Sequence, residues 1–344
     1  LHPHGVGGRI SVTVIEKGYR QAMNQTSAPM QRRIATALAR WLDNDAGSDE
    51  SADNDHIDWL RTFPFIALHV GCLAVIWVGA CGFAVGVAIA LYAIRMFAIT
   101  GFYHRYFSHR AFRTSRVVQF TFALIGACSV QRGPLWWAAH HRNHHRYADG
   151  DRDPHSPLRL GFFRSHLGWF LTPRGFRTDW KVIRDLASFP ELRVLDRFDI
   201  LMPVALAFAL FGLGNYLHAV HPELGTNGLQ LVVWGFCIST VALFHATFMI
   251  NSLAHRWGSR RYSTRDESRN NWWLALITFG EGWHNNHHRY PGAARQGLRW
   301  WECDLTFYAL SLLSWLGLIH DLRPYPASMR VRVVPDCEPQ GESL

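Results

Sequence analysis

The sequence predicts an all-α membrane protein, with four transmembrane helices and a helical cytoplasmic cap that carries a histidine-rich dimetal site. Three observations predict it. Apolar residues gather in blocks at about 63–100, 200–220 and 229–250 instead of spreading through the 344-residue chain. Basic residues gather between those blocks. Imidazoles crowd into two groups of the form HxxHH. Length alone would admit one or two soluble domains, so the blocks decide the class.

Residues 1–60 read as a partly disordered cytoplasmic segment. They lack the basic start, apolar core and small-residue cleavage site of a signal peptide, and Met23 is a candidate start. The stretch "MQRRIATALARWL" (30–42) has helical periodicity and suits a membrane surface. The acidic run "DNDAGSDESADNDH" (43–56) is expected to be a disordered linker. A single helix over 63–100 would be about 57 Å long, nearly twice a hydrocarbon core. It therefore reads as two spans, about 63–81 and 83–102, turning back near 79–82. Arg95 is placed near the cytoplasmic end of the second, its stem snorkelling to the headgroups. Spans three and four are expected at about 200–220 and 229–250, with Pro203 tolerated in a first helical turn. The cap comprises 103–199 and 251–322, completing a unit over 61–322, and 323–344 is a tail. Within the cap, "TFYALSLLSWLGLIHDL" (306–322) reads as an interfacial or cap helix, because a fifth span would put the C-terminus outside.

Charge orients the spans. The segment 103–199 holds sixteen Arg and Lys, whereas the turn near 80 and the loop "HAVHPELGTNG" hold none. The basic segments, both termini and the histidine groups should therefore lie on the cytoplasmic side. The same bias accounts for the net charge of +9 without a nucleic-acid partner. Cys72, Cys81, Cys128, Cys237, Cys303 and Cys337 form no CxxC pair and read as free packing residues.

The histidines carry the chemistry. His141, His144 and His145 in "HHRNHHRY", and His284, His287 and His288 in "GEGWHNNHH" (280–288), sit at i, i+3 and i+4, on one helical face. His104 and His109 in "HRYFSH" are five apart, about 140° on an ideal helix, and converge only where the helix distorts. Asn251 and His255 in "NSLAHRWG" share a face, and Thr247 lies one turn deeper on that stripe. His69, His218, His221, His245 and His320 read as surface or hydrogen-bonded structural residues. His140 is left on the substrate side. His155 in "DRDPHSP" and His166 in "GFFRSHLGW" are expected to orient ligands. Imidazole suits zinc, copper, iron and nickel alike. Nine histidines exceed the needs of one tetrahedral zinc and fit two metals better. There is no HExxH, nor the duplicated Glu plus Glu-x-x-His pattern of soluble diiron bundles.

With "HRYFSH", "WWAAHHR", "HHRNHH", "DRDPHSP", "NSLAH" and "GEGWHNNHH" in order, the chain resembles the integral-membrane fatty acyl desaturases over most of 60–320. It is most similar to the acyl-CoA Δ9 (stearoyl-CoA type) group. The resemblance implies a diiron centre, two Fe2+ ions, that uses O2 as co-substrate and two electrons to place a cis double bond in a saturated acyl chain. It implies as ligands His104, His109, His141, His144, His145, His255, His284, His287 and His288, with Asn251 approaching one iron through a water. Thr247, Gln131 and Trp136 match positions lining the acyl tunnel. Phe248 stands where animal members have Trp, and His140 where they have Asp beside the headgroup. An acyl-CoA or another acyl carrier is the implied substrate and membrane lipid the surroundings. No haem-binding HPGG or ferredoxin cysteine spacing is present, so a separate ferredoxin or cytochrome b5-type donor with its reductase is implied. Zinc would be a mismetallation product. The alternatives are a hydroxylase of the same His-rich superfamily and, more remotely, a membrane metal transporter with ligands along a crossing path.

Overall fold

A computed structural model describes residues 30–46 and 55–326. Met23, Cys337 and most of the C-terminal tail lie outside the described residues.

Four helices are long and apolar enough to cross a membrane: span 1 (Trp59–Val78), span 2 (Gly82–Ser108), span 3 (Leu201–Val220) and span 4 (Gly228–Ser252). Their outward faces present Val70, Ile76, Trp77, Ile89 and Phe208, side chains that a hydrocarbon surround would accept and water would not. Spans 1 and 2 turn where predicted. Gly79 adopts φ 63°, a left-handed conformation open to glycine. Span 4 ties down that turn through Gln230 Nε2 to the Val78 carbonyl (2.8 Å) and Trp234 Nε1 to the Gly79 carbonyl (2.9 Å). Pro203 sits in the first turn of span 3, where it removes no intrahelical donor.

Span 2 extends past its predicted end. From Ala98 to Ser108 it continues as a π-helix, every residue of it buried. The segment is enclosed by cap helices α2 (Arg116–Ala127) and α3 (Pro134–Tyr147). Phe102, Tyr103 and Phe107 form one core with Ala123, Ala127, Leu135 and Ala139. The fit is close enough that a Cβ on Gly126 would stand 2.2 Å from the Tyr103 ring.

Arg95 does not snorkel. Its side chain is 1% exposed and turned into the bundle. It donates to the hydroxyls of Ser239 (2.6 Å) and Thr240 (2.7 Å) and to the carbonyls of Leu91 and Cys128 (3.1 Å each). Span 4 supplies these hydroxyls just after its own π segment, Val232–Ile238. Cys128 closes α2, at the negative end of that helix dipole. A guanidinium surrounded by such acceptors is cheaper inside than stretched toward a distant headgroup.

Helix α1 (Met30–Leu42) forms as predicted, with Met30, Ile34, Leu38 and Leu42 exposed along one stripe. It docks through Arg40 to Asp58 (2.6 Å) and through Trp41 Nε1 to the Leu60 carbonyl (2.7 Å). Residues 43–46 are not the free linker expected of them. Asp43 pairs with Arg197 (2.6 Å), and Asn44 donates to the Asp196 carbonyl (2.6 Å). The acidic composition that suggested disorder is matched by a basic partner 154 residues away in sequence. Residues 47–54 lie outside the described residues. The stretch 306–322 contributes helix α8 (Leu305–Trp315), too short to span, followed by strand Ile319–His320 antiparallel to Arg113–Thr114.

Arg95→Ala should lower unfolding stability in detergent by roughly 2–4 kcal/mol, because it strands several buried acceptors. Exposed Arg113→Ala should change it by less than about 0.5 kcal/mol. Equal midpoints in denaturant titrations of the two variants would contradict the role given to Arg95.

Candidate metal centre

Four segments supply the nine histidines, and local structure aims each of them. The π-helix resolves the spacing of His104 and His109. Its turns close at i→i+5, so residues five apart stack nearly in line; their rings lie 5.0 Å apart. Helix α3 carries the first trio. Pro134 occupies its first turn, and Asp196, from helix α5 (Pro190–Arg197), serves its free N-terminus by accepting from Leu135 N and Trp136 N, both at 2.9 Å. Helix α7 (His284–Arg289) carries the second trio, and His255 follows the end of span 4.

The imidazoles fall into two sets that could each hold a metal ion. His104, His109, His141, His145 and His287 form one; His144, His255, His284 and His288 form the other. In each set the ring nitrogens lie within 4.8 Å of one another. Each HxxHH trio is divided between the sets. Its i and i+4 members, about 40° apart on the helix, go together, and the i+3 member reaches across to the other set. Close pairs include His109–His141 (2.7 Å), His104–His287 (3.0 Å), His145–His287 (2.9 Å) and His255–His284 (3.1 Å), all between Nε2 atoms. With metal–nitrogen bonds of about 2.1 Å, nitrogens at right angles around one ion would lie about 3.0 Å apart.

Carboxylates fix the tautomers. His144 Nδ1 faces Asp153 (3.1 Å), His255 Nδ1 faces Asp149 (2.9 Å), His288 Nδ1 faces Asp266 (2.9 Å), and His104 Nδ1 faces Glu281. Each Nδ1–H donates, so each Nε2 turns a lone pair inward. His288 Nε2 is buried with no hydrogen-bond partner. Inward lone pairs at 3 Å repel unless a cation lies between them, so the residues fit a pair of metal ions. Burial, then the neighbouring imidazoles, hold His109, His141, His145, His284 and His287 well below the ordinary histidine pKa. These rings are therefore neutral and able to coordinate. Burial opposes ionisation of Asp149, Asp153 and Asp266, but their histidine contacts outweigh it and keep all three below the usual carboxylate range. Glu281 is steadied in turn by Arg105 (3.0 Å), which also pairs with buried Asp304 (2.9 Å).

Gln131, Trp136, His140, Thr247, Phe248 and Asn251 all line one largely apolar cavity of about 190 Å³ that reaches His141 and His155. Asn251 also lines a smaller space of about 60 Å³ among His104, His141, His144 and His284, so it stands between the cavity and the histidines. Gln131 Nε2 donates to Thr247 Oγ1 (2.8 Å) across the cavity. The turn that aims Gln131 is strained on both sides, with Val130 at φ 57° and Arg132 at φ 68°. His140 bonds the Arg177 carbonyl (3.1 Å) and packs on Trp136 and Trp169.

His155 packs beside His144, and its backbone N, not its ring, donates to Asp153 (3.2 Å). His166 does not take the ligand-orienting role: its partners are His245 and Ser252, neither of them in the two histidine sets. Asp149, Asp153, Asp266 and Glu281 were missed in the sequence. A faint signal existed for three of them, since "ADGDRDP" begins three residues after His145 and Glu281 precedes the second trio by three residues.

The family model for fatty acid desaturases matches residues 63–314. A chloroplastic palmitoyl-monogalactosyldiacylglycerol delta-7 desaturase of Arabidopsis thaliana is 39% identical over 244 residues, 70% of this chain and 62% of that protein. An sn-1 stearoyl-lipid 9-desaturase of Anabaena variabilis is 38% identical over 270 residues, 78% of this chain and 94% of that protein. An acyl-CoA C20 Delta5-desaturase of Anemone leveillei is 36% identical over 280 residues, 77% of this chain and 83% of that protein.

Asp266→Asn should weaken metal binding at the four-histidine set by roughly 10–100-fold and spare the five-histidine set. Metal analysis after graded chelation should then find the four-histidine set emptied at a lower chelator concentration than in wild type and the five-histidine set unchanged; an equal shift at both sets would contradict the division. Asp196 offers a pH test. Burial outweighs its backbone hydrogen bonds and raises its pKa from 3.8 to about 7. Its contribution is thus fully present below the unfolded value and lost as pH rises through about 7. Wild-type thermal stability should fall over that window relative to Asp196→Asn, which keeps an acceptor oxygen but cannot ionise; parallel curves would refute this.

Proposed function

The chain belongs to the fatty acid desaturase family, and from that premise we propose that it removes two hydrogens from adjacent methylenes of a saturated acyl chain, between C9 and C10, leaving a cis double bond. One O2 is reduced to two waters, with two electrons and two protons from the acyl chain and two of each supplied from outside. The observation that carries this reading is an apolar cavity that reaches His141, with a smaller space sharing His141, Thr247 and Asn251 that leads on to His104, His144 and His284 of the two histidine sets.

In this reading His104, His109, His141, His145 and His287 hold one iron, and His144, His255, His284 and His288 the other, with Asn251 acting through a water. The two irons, when bound, supply the activation of dioxygen and the abstraction of hydrogen. The protein supplies position and dryness. Trp136, Phe248 and their neighbours exclude water along the cavity. The Gln131–Thr247 bond crosses the path of the chain and makes it bend, which sets one methylene pair against the centre. His140, neutral and tied to a backbone carbonyl, stands toward the headgroup.

The carrier is read from the cavity mouth. An open cleft of about 670 Å³ adjoins the cavity and is lined by six arginines against three carboxylates, Asp45, Asp58 and Asp196; Arg40, Arg132 and Arg197 are ion-paired, whereas Arg177 and Arg193 are in no ion pair among the described residues. Such a lining suits phosphates and favours acyl-CoA. A lipid-bound acyl chain is the second reading, favoured by the lipid substrates in the names of the Arabidopsis and Anabaena proteins and by the exposed apolar stripe of α1 beside that mouth. The arginine bias puts cap, histidines and termini on the cytoplasmic side. A separate ferredoxin or cytochrome b5-type donor with its reductase delivers electrons there.

The test supplies iron, a donor system, O2 and saturated C16 and C18 chains as acyl-CoA or lipid, then locates double bonds by mass spectrometry. A cis-Δ9 product is expected, and His284→Ala should reduce it by more than about 100-fold. A hydroxylated product, or full turnover by that variant, would overturn the assignment.

A further inference from the structure

Three histidines outside the metal centre form a continuous hydrogen-bonded chain through the bundle. His69 of span 1 bonds the Phe65 carbonyl through Nδ1 (2.8 Å) and His245 of span 4 through Nε2 (3.2 Å). His245 Nδ1 meets His166 Nε2 (3.0 Å), and His166 Nδ1 meets the Ser252 hydroxyl (2.9 Å). His166 ends helix α4 (Pro157–His166), so the chain joins two spans and the cap.

Chemistry fixes its direction. A carbonyl only accepts, so His69 donates from Nδ1 and accepts at Nε2. His245 must then donate from Nε2 and accept at Nδ1, and His166 repeats the pattern; Ser252 is the terminal donor, turning to His166 the single proton that also faces the Phe248 carbonyl (3.1 Å). Every ring is satisfied in its neutral form, and no nitrogen is left over for a metal.

The chain backs one wall of the acyl cavity. Phe65, Phe170, Phe244 and Phe248 face that cavity. Behind them, His69 lies 4.4 Å from the Phe65 ring, and His166 and His245 lie 5.8 and 6.2 Å from Phe248. Phe65 and Phe244 stack across the two spans at 5.6 Å, and Phe170 meets Phe248 at 4.9 Å. Apolar contacts alone would let these rings slide by a methylene's width, because dispersion has no direction. Hydrogen bonds do not slide in that way.

We propose that the His69–His245–His166 chain is a specificity-determining brace: it fixes the phenylalanine wall and thereby sets which acyl length is accepted and which methylene pair meets the metals. This rests on the desaturase reading of the cavity. The three are positioning residues, acting through the rings in front of them.

His245→Phe removes both links and keeps the volume filled. The iron-loaded, full-length variant and wild type are given equal C16 and C18 saturated chains. The variant should bind as much iron as wild type, change the C16:C18 product ratio by about tenfold and yield positional isomers that wild type does not. An unchanged ratio and a single unchanged position, at whatever rate, would overturn the brace. Should His245→Phe not accumulate, His69→Asn, too short to reach both partners, takes the same test with the same two outcomes. If wild type hydroxylates instead of desaturating, the site of attack still reports on the brace, so the two failures separate. A wild type that modifies neither chain overturns both.

Discussion

Nine imidazole nitrogens turned inward on two points are the constraint on which the rest of the structure depends. Neutral lone pairs about 3 Å apart do not assemble by themselves. Here they are held from behind. Asp149, Asp153, Asp266 and Glu281 take the outer N–H of four rings, and Arg105 with Asp304 anchors the last of those carboxylates. The centre is therefore a two-layered object, inward-facing nitrogens inside and a ring of ionised acids outside. Family membership and this donor chemistry point the same way.

The fold brings this about with departures from regular helix. Span 2 becomes a π-helix where it leaves the apolar block, which sends His104 and His109 to one side and Arg105 to another. Span 4 loosens at Val232–Ile238 and supplies Ser239 and Thr240 to Arg95 just beyond. Left-handed Val130 and Arg132 aim Gln131 at Thr247. Strain of this kind tends to sit at functional sites and is maintained by the surrounding packing. The cap and the spans are consequently one unit: the cavity wall comes from spans 1 and 4, and its mouth from α1 and the segment after α4.

Much of this was legible in the sequence because it is local. The spans are contiguous apolar runs, and HxxHH fixes a helical face without knowledge of anything distant. Asn251, four before His255, is the same kind of inference. What escaped depends on contacts between remote segments. Nothing near Arg95 in sequence indicates hydroxyls 144 and 145 residues away, so snorkelling was the reasonable local expectation. The ordering of Asp43 and Asn44 needs Arg197 and Asp196. His166 was expected to orient a ligand, yet its partner is His245, and only the bundle brings the two together. The division of each trio is only half visible on a helical wheel, which sets the i+3 member apart from the other two but does not show the distant group that it joins.

The central claim is tested most directly by locating the metals. Anomalous difference density at the iron absorption edge, from iron-loaded crystals, should show two peaks per chain. One should lie within bonding distance of His104, His109, His141, His145 and His287, the other of His144, His255, His284 and His288. A single peak, or peaks bonded to Asp149, Asp153 or Asp266 in place of the imidazoles, would contradict the account.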